Sequence, residues 1–463
     1  MTAIAHRAGV AAKRKTGKPR QKAVSQPIEY SLLLTATLCL LAFGAVMVFS
    51  ASSTSEVLGG SGDGAQYLKR TLLFGALGLL VMRFLSIRGL KAARALTPAL
   101  LVISFVLLVA VMIPGVGMEA NGATRWIAAG PIQIQPSELA KLSLILYGAH
   151  LIASRPSTVR NLRTMFPYLA VVGLACVLIV LEPDLGSALV AGFAVAALLI
   201  AGGARIRHLA LVGIVLAFAV MLAILIEPYR MERLTGFIDP AADAGGAGFQ
   251  GIQASIALGS GGVFGVGLGE SVQKAFYLPE AHTDMIAAVI GEELGLVGIV
   301  VLVGLFGMFG YAGFRTAQQA RDRYGKLLVT GLTALILVQA IVNLFAVLGL
   351  APLTGVPLPF VSYGNSSLLV MLASVGLMLN VARGGRAPAP VRRREPKPRA
   401  PRTRAVARGG RARGARLRIL DGGLGAAVET DGRQLRGGNG RHSNGRDRRT
   451  RGSGARRRRR AAR

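Results

Sequence analysis

The sequence predicts an all-α, polytopic integral membrane protein of about ten transmembrane helices, with a large extracytoplasmic loop between the seventh and the eighth. Three observations carry this. Hydrophobic residues make up 52% of the chain and charged residues only 16%, well below the roughly 25% charged residues of a soluble globular protein. Apolar runs of about 20 residues, the length a helix needs to cross a ~30 Å hydrocarbon core, recur through the middle of the chain. The loops between them alternate in charge.

Ten runs have the required length or nearly so: 30–51, 71–86, 95–114, 137–154, 166–182, 185–203, 206–227, 284–314, 325–350 and 360–382. The second and fifth are short, and the eighth is long enough for its first turns to lie in the interface. With ten spans, the N-terminal segment, 87–94 (Arg88, Lys91, Arg94), 155–165 (Arg155, Arg160, Arg163), 204–207 (Arg205, Arg207), 315–326 (Arg315, Arg321, Arg323, Lys326) and the C-terminus all fall on one side. The positive-inside rule makes that side cytoplasmic. Both termini are then expected in the cytoplasm, and 52–70, 115–136, 183–184, 228–283 and 351–359 face outward. One miscounted span would scramble the alternation.

Charge divides the chain into three expected regions. A basic cytoplasmic segment, 1–29, holds 7 Lys and Arg against one acid. The transmembrane domain, 30–382, holds 20 against 16, and the Arg-rich tail, 383–463, holds 27 against 5. A pI near 11.5 would fit nucleic acid. Here the cations sit in tails beside spans, where attraction to anionic lipid accounts for them, so nucleic acid is not an expected partner. The tail, rich in Arg, Gly and Pro, cannot bury a core and reads as disordered. Cys39 and Cys176 lie inside apolar runs without disulfide or metal spacing and read as small core residues. No cleavable signal peptide is expected, because the first apolar run begins only near Tyr30 and is long enough to span.

The outward segments concentrate the candidate chemistry. Loop 228–283 has ten glycines in the window 244–270, and a loop of this length without clear structure is usually functional or disordered. It has no Walker A pattern and no strand before a G-x-G-x-x-G, so nucleotide binding is not expected. In 121–141, NGATRWIAAGPIQIQPSELAK, Pro136 suits the first turn of a helix and Glu138 its positive end. Lys141, three residues on, reads either as a Lys–Glu pair snorkelling to the interface or as a cation facing a cavity, since ionisable residues in spans are functional candidates. Arg125 beside Trp126 is an interfacial anchor or a fork that grips phosphate.

In 274–293, KAFYLPEAHTDMIAAVIGEE, Glu280, His282 and Asp284 cluster where the long loop re-enters the membrane. Partial desolvation would raise the pKa of Asp284 and make it a better base; as an isolated residue it equally fits a helix cap. Glu-x-His-x-Asp hints at a metal, but no second His is near, and whether one is bound stays open. Glu292 and Glu293 lie about 80° and 180° round a helix from Asp284, so they cannot both share its face, and at least one reads as structural. EPDLGSA (182–188) makes a tight acidic turn, and SYGNSS (362–367) opens the last span with small polar residues that allow close helix contact.

Taken together, NGATRWI (121–127), QPSELAKL (135–142), EPDLGSA (182–188), GFQGIQA (248–254), GVGLGESVQK (265–274), YLPEAHTD (277–284), GEELGLVG (291–298) and LPFVSYGNSS (358–367) resemble the SEDS family of peptidoglycan glycosyltransferases over residues 30–382. SVQK followed by YLPEAHTD is similar to the FtsW, cell-division branch; the RodA, elongation branch tends to have LPERHTD. The departure is Asn365, where the family usually has a second glycine. The resemblance implies polymerisation of lipid II at the outer face of the cytoplasmic membrane. The 4-hydroxyl of one lipid-linked GlcNAc attacks the anomeric carbon of a MurNAc, and undecaprenyl pyrophosphate leaves. Asp284 matches the catalytic aspartate, Arg125 and Lys141 match required cations that would hold pyrophosphate, Lys274 would assist, and Glu280 and His282 would line the substrate. No cofactor has a dedicated motif, although a divalent cation can accompany the pyrophosphate. The implied partners are a class B penicillin-binding transpeptidase and other division proteins, at the septum. A lipid II flippase, an elongation-type polymerase and a scaffold that recruits a transpeptidase are the competing readings.

Overall fold

The computed structural model describes residues 27–58, 64–120, 123–129, 132–275 and 277–384. The basic N-terminal segment, and the tail beyond Gly384, lie outside the described residues. Among these, nine helices are long and apolar enough to cross a bilayer: α1 (Ile28–Leu58), α2 (Gln66–Arg88), α3 (Leu90–Val111), α5 (Leu162–Leu181), α6 (Leu185–Gly202), α7 (Ile206–Ile226), α10 (Ile286–Gln319), α11 (Arg323–Val347) and α12 (Asn365–Ala382). The predicted fourth span is α4 (Pro136–Ser154). It has the length but carries Glu138 and Lys141, both buried, and it packs among α3, α6 and α11. Protein contacts therefore surround the helix least suited to lipid.

The core pairs α12 with α2, α1 with α10, and α11 with both α6 and α10. Helix α7 stands at the edge, with Ala223 as its buried residue. Among the described residues, one end of the bundle gathers the sheet and the two longest insertions between spans. Before α4 lies an antiparallel sheet of β1 (Gly117–Ala120), β2 (Ala123–Ala129) and β3 (Ile132–Ile134), in that order. Met118 pairs with Trp126, and Ala128 with Gln133. The loop 115–136 thus holds a short sheet within an otherwise helical fold.

The loop 228–283 also differs from its expected irregularity. It begins with α8 (Pro228–Ile238) and continues with α9 (Phe249–Gly261), which packs on α10. The glycine-rich stretch after α9 has a structural cause. Helix α10 is not continuous, because Gly295 has non-helical angles, φ 64 and ψ −159. A helix broken inside a bundle leaves amides and carbonyls that must find partners. The loop provides them: Val266 and Gly267 donate to the carbonyls of Glu292 and Glu293, both at 3.0 Å, and Leu296 and Val297 donate to Gly262 and Val263 at 3.0 and 3.2 Å.

Gly265 sits where this contact is closest, at φ +81, and a β-carbon there would collide with the Glu293 carbonyl. Gly269 has a similar φ of +87 but open space around it. Left-handed backbone alone costs a non-glycine residue about 1–2 kcal/mol. Gly269→Ala is therefore expected to lower stability by about that amount, and Gly265→Ala by clearly more, since the backbone must also shift. Thermal unfolding of the two variants side by side checks the difference.

Candidate active site

The two acids that end the buried first section of α10 hold the returning loop. Glu293 accepts from Ser50 of α1 at 2.7 and 2.6 Å and pairs with Lys274 at 2.8 Å. Lys274 also donates to the Gly269 carbonyl at 2.6 Å. Glu292 accepts from Ser271 Oγ and from the Val272 amide. Both glutamates are structural, with separate partners, as their angular separation requires.

This clamp delivers Glu280, His282 and Asp284 to the insertion end of the bundle. Asp284 does not cap α10: the cap position is Met285, and no side chain bonds there. Its half-buried carboxylate accepts from Thr283 Oγ1 at 3.3 Å, and its carbonyl accepts from Asn343 Nδ2 at 2.7 Å. Asn343, deep in α11, donates equally to Val356 at 2.8 Å, so one amide ties the Asp284 segment to the 351–364 loop. Burial is the main influence that raises the Asp284 pKa to about 6; Glu280 adds to it, while Arg233 and Thr283 oppose it.

Arg125 reaches the same place from β2. Its Nε donates to the Glu182 carbonyl at 3.2 Å and its Nη2 donates to Pro183. A side-chain carbon added at Gly355, whose φ is +67, would lie 3.9 Å from Arg125 Nη1 and 3.9 Å from Asp284 Oδ2. The guanidinium and the carboxylate therefore face one small space that the missing side chain leaves open. Asp184, beside this turn, caps α6 through Ser187 and accepts from Gln135 and Ser137.

The other expected residues are placed differently. Lys141 is fully buried, bonded to Glu138 and to Gln339 of α11, each at 2.9 Å. It neither snorkels nor faces the open space. Lys274 is equally enclosed by Glu293. Lys141, expected to hold pyrophosphate, and Lys274, expected to assist, are both committed to buried glutamates here and join helices and loops. Glu280 is exposed, with a φ of +55, and accepts from Thr283 Oγ1 at 2.7 Å. His282 lies in an aromatic group with Tyr67 (4.4 Å between centroids) and Tyr363 (5.8 Å). Burial lowers its pKa and Glu280 opposes the shift, which favours the neutral ring. Asn365, the departure from the family pattern, is helical at the start of α12 and donates to Tyr363 Oη at 3.2 Å, so the backbone there does not require glycine.

Several site residues were missed. Arg233 of α8 is exposed, donates to the Leu353 carbonyl at 3.3 Å and acts electrostatically on Asp284. Helix α8 is itself fixed by buried Arg230, which donates to Ala223 and Val180, and by Tyr229, which donates to Pro183. Glu182 is buried with neither carboxyl oxygen bonded among the described residues. Burial and then Asp184 raise its pKa to about 9, against Arg125, so it is neutral at pH 7. Two amides, Gln339 and Asn343, within the apolar run 325–350 were the available signal for α11, since polar groups in spans have reasons to be there. Pro228 followed by apolar residues at helical spacing, Met231, Leu234, Phe237 and Ile238, was the signal for α8.

Fold and site together define a polytopic membrane protein with an ionisable centre at one end of its helix bundle. Residues 30–387 match the family model FTSW_RODA_SPOVE, described as cell cycle protein. The chain is 41% identical over 356 residues to Stage V sporulation protein E of Bacillus subtilis (strain 168), covering 77% of this chain and 97% of that protein. Over 358 residues it is 43% identical to the Probable peptidoglycan glycosyltransferase FtsW of Alkalilimnicola ehrlichii, covering 76% and 89%. A solved chain from "Structural coordination of polymerization and crosslinking by a peptidoglycan synthase complex" aligns with TM-score 0.63 and 34% identity, over 76% of this chain and 96% of that one. The Rod shape determining protein RodA of Thermus thermophilus aligns with TM-score 0.57 and 32% identity, over 76% and 95%. The chain belongs to the FtsW/RodA/SpoVE family.

Removing one partner of a buried ion pair typically costs about 3–5 kcal/mol, whereas replacing both is far milder. Lys274→Met should therefore destabilise the fold strongly, and Lys274→Met with Glu293→Gln should recover most of the loss, as read by thermal unfolding. A double variant that is stable yet inactive would place Lys274 on the substrate instead.

Proposed function

We propose that the chain is a peptidoglycan glycosyltransferase that polymerises lipid II into glycan strands at the outer face of the cytoplasmic membrane and serves septal wall synthesis. The observation that carries this is the shared space between Asp284 and Arg125, beside an exposed second guanidinium, Arg233. Asp284 takes the proton of the acceptor's 4-hydroxyl. The freed oxygen forms a bond to the anomeric carbon of the donor, whose bond to the pyrophosphate oxygen breaks. The electron pair leaves with undecaprenyl pyrophosphate, and Arg125 and Arg233 stabilise its charge, since planar guanidinium groups match phosphate oxygens. Neutral Glu182 adds no opposing charge. Glu280 and His282 line the acceptor side, and Lys141 and Lys274 hold the surrounding elements in position.

A divalent cation, where it takes part, arrives with the pyrophosphate; the described residues group no three His, Cys, Asp or Glu side chains as ligands of their own. The Lys and Arg alternation between loops supports an outward-facing site and cytoplasmic termini. The peptidoglycan synthase complex among the similar structures supports a class B penicillin-binding transpeptidase as partner, alongside other division proteins. The basic tails add attraction to anionic lipid. Among the described residues, the buried ion pairs Lys141–Glu138 and Lys274–Glu293 lie toward the site end, which favours an enzyme over a flippase with polar groups across the whole membrane.

Asp284→Asn should reduce lipid II polymerisation by the purified protein with its transpeptidase by about 10²–10⁴-fold, the usual range of general-base catalysis. Folding should not suffer. A carboxyl whose pKa is raised in the native state weakens stability as pH rises through that value, so the amide removes a destabilising charge. For the parent, activity needs the ionised form, so the rate should fall as pH drops through about 6. Near-parental polymerisation by the variant would remove Asp284 as the base.

A further inference from the structure

The end of the bundle opposite the site carries a cavity of about 460 Å³ between the α2–α3 turn, the α10–α11 turn and the end of α12. We propose that it binds the headgroup of one anionic phospholipid. Three cations line it, Lys91, Arg94 and Arg321, with Asp322 as the acid. Asp322 is already engaged: it pairs with Arg94 at 3.3 Å and caps α11 by accepting from the Gly325 amide. Arg94 in turn lies over the Tyr324 ring at 4.3 Å. Lys91 and Arg321 are exposed and make no side-chain ion pair or hydrogen bond among the described residues.

Their placement runs against helix electrostatics. Lys91 lies in the first turn of α3, and Arg321 immediately precedes the cap of α11, yet neither helix has an acid in its first turn. Helix N-termini carry partial positive charge and favour anions. Two such termini and three cations around one cavity leave an excess of positive charge that one committed carboxylate does not offset.

The rest of the lining selects among anions. Leu90, Ala95 and Val381 give the cavity an apolar floor, which suits the glycerol and first methylenes of a lipid and not free phosphate. The cavity also lies at the ends of membrane-length helices, at the level of headgroups. The chain's own tail is a poor occupant, because residues 383–463 carry 27 Lys and Arg against 5 acids and would be repelled. The site goes beyond the catalytic reading and does not depend on it.

Native mass spectrometry of the detergent-purified full chain tests this, with phosphatidylglycerol, phosphatidylcholine and inorganic phosphate as probes. The variant K91Q/R321Q is compared with R205Q/R207Q, which removes equal charge from exposed positions at the same end, outside the cavity. Each basic residue near an anionic lipid contributes enough that phosphatidylglycerol binding should weaken about tenfold or more in K91Q/R321Q and little in R205Q/R207Q. Phosphatidylcholine should bind weakly and alike in all three proteins, and millimolar inorganic phosphate should leave the bound lipid in place. Equal losses in both double variants, no loss in either, or displacement by phosphate would each overturn the proposal. The single variants K91Q and R321Q carry the same comparison if the double variant is not isolated folded.

Discussion

A helix interrupted inside a membrane protein must have its freed backbone groups satisfied, and that constraint organises the site. The break at Gly295 exposes the carbonyls of Glu292 and Glu293 and the amides of Leu296 and Val297, and the turn-rich return 262–267 answers all four. Side chains reinforce the seam: Glu293 with Lys274 and Ser50, Glu292 with Ser271 and the Val272 amide. The segment that follows, Leu278 to Asp284, therefore starts from a fixed point. Carboxylates buried at this depth are tolerable only because each has its own donors.

From that anchor, Asp284 is positioned by a second buried amide. Asn343 bonds the carbonyls of Asp284 and Val356 together, which brings Gly355 against the carboxylate. The sheet supplies Arg125, docked on the Glu182–Pro183 turn, and α8 supplies Arg233, docked on Leu353. Four chain segments far apart in sequence thus meet at one end. The resulting environment keeps Asp284 basic by withholding water and leaves its charge balanced by cations near it rather than in contact with it, the arrangement a general base requires.

The spans were legible because apolar length is a local property, and the positions of the ten runs follow closely the helices they predict. Asp284 and Arg125 were legible as ionisable residues in outward segments. Lys141 and Lys274 show where that reasoning stops. A cation near the end of a span looks the same in sequence whether it faces substrate or a buried glutamate, and only the approach of α11 and α1 decides it. The break at Gly295 was hidden because glycine is frequent in membrane helices, and Gly291, Gly295 and Gly298 look alike in GEELGLVG. Gly355, Asn343 and Arg233 matter through tertiary pairing, which no local pattern records.

The account rests on the space that Gly355 leaves between Asp284 and Arg125. Gly355→Ala places a methyl group 3.9 Å from both functional atoms while leaving both residues in the chain. At that distance the methyl is in ordinary van der Waals contact and displaces neither group. It fills the space the substrate would occupy, and misplacing the substrate's reacting atoms by about 1 Å can cost on the order of 10²-fold in rate, against a left-handed backbone strain of only about 1–2 kcal/mol. The measurement is lipid II polymerisation by the folded variant, normalised to its thermally stable fraction. The account predicts a loss of about hundredfold in a protein that still folds; polymerisation at the parental rate would contradict it.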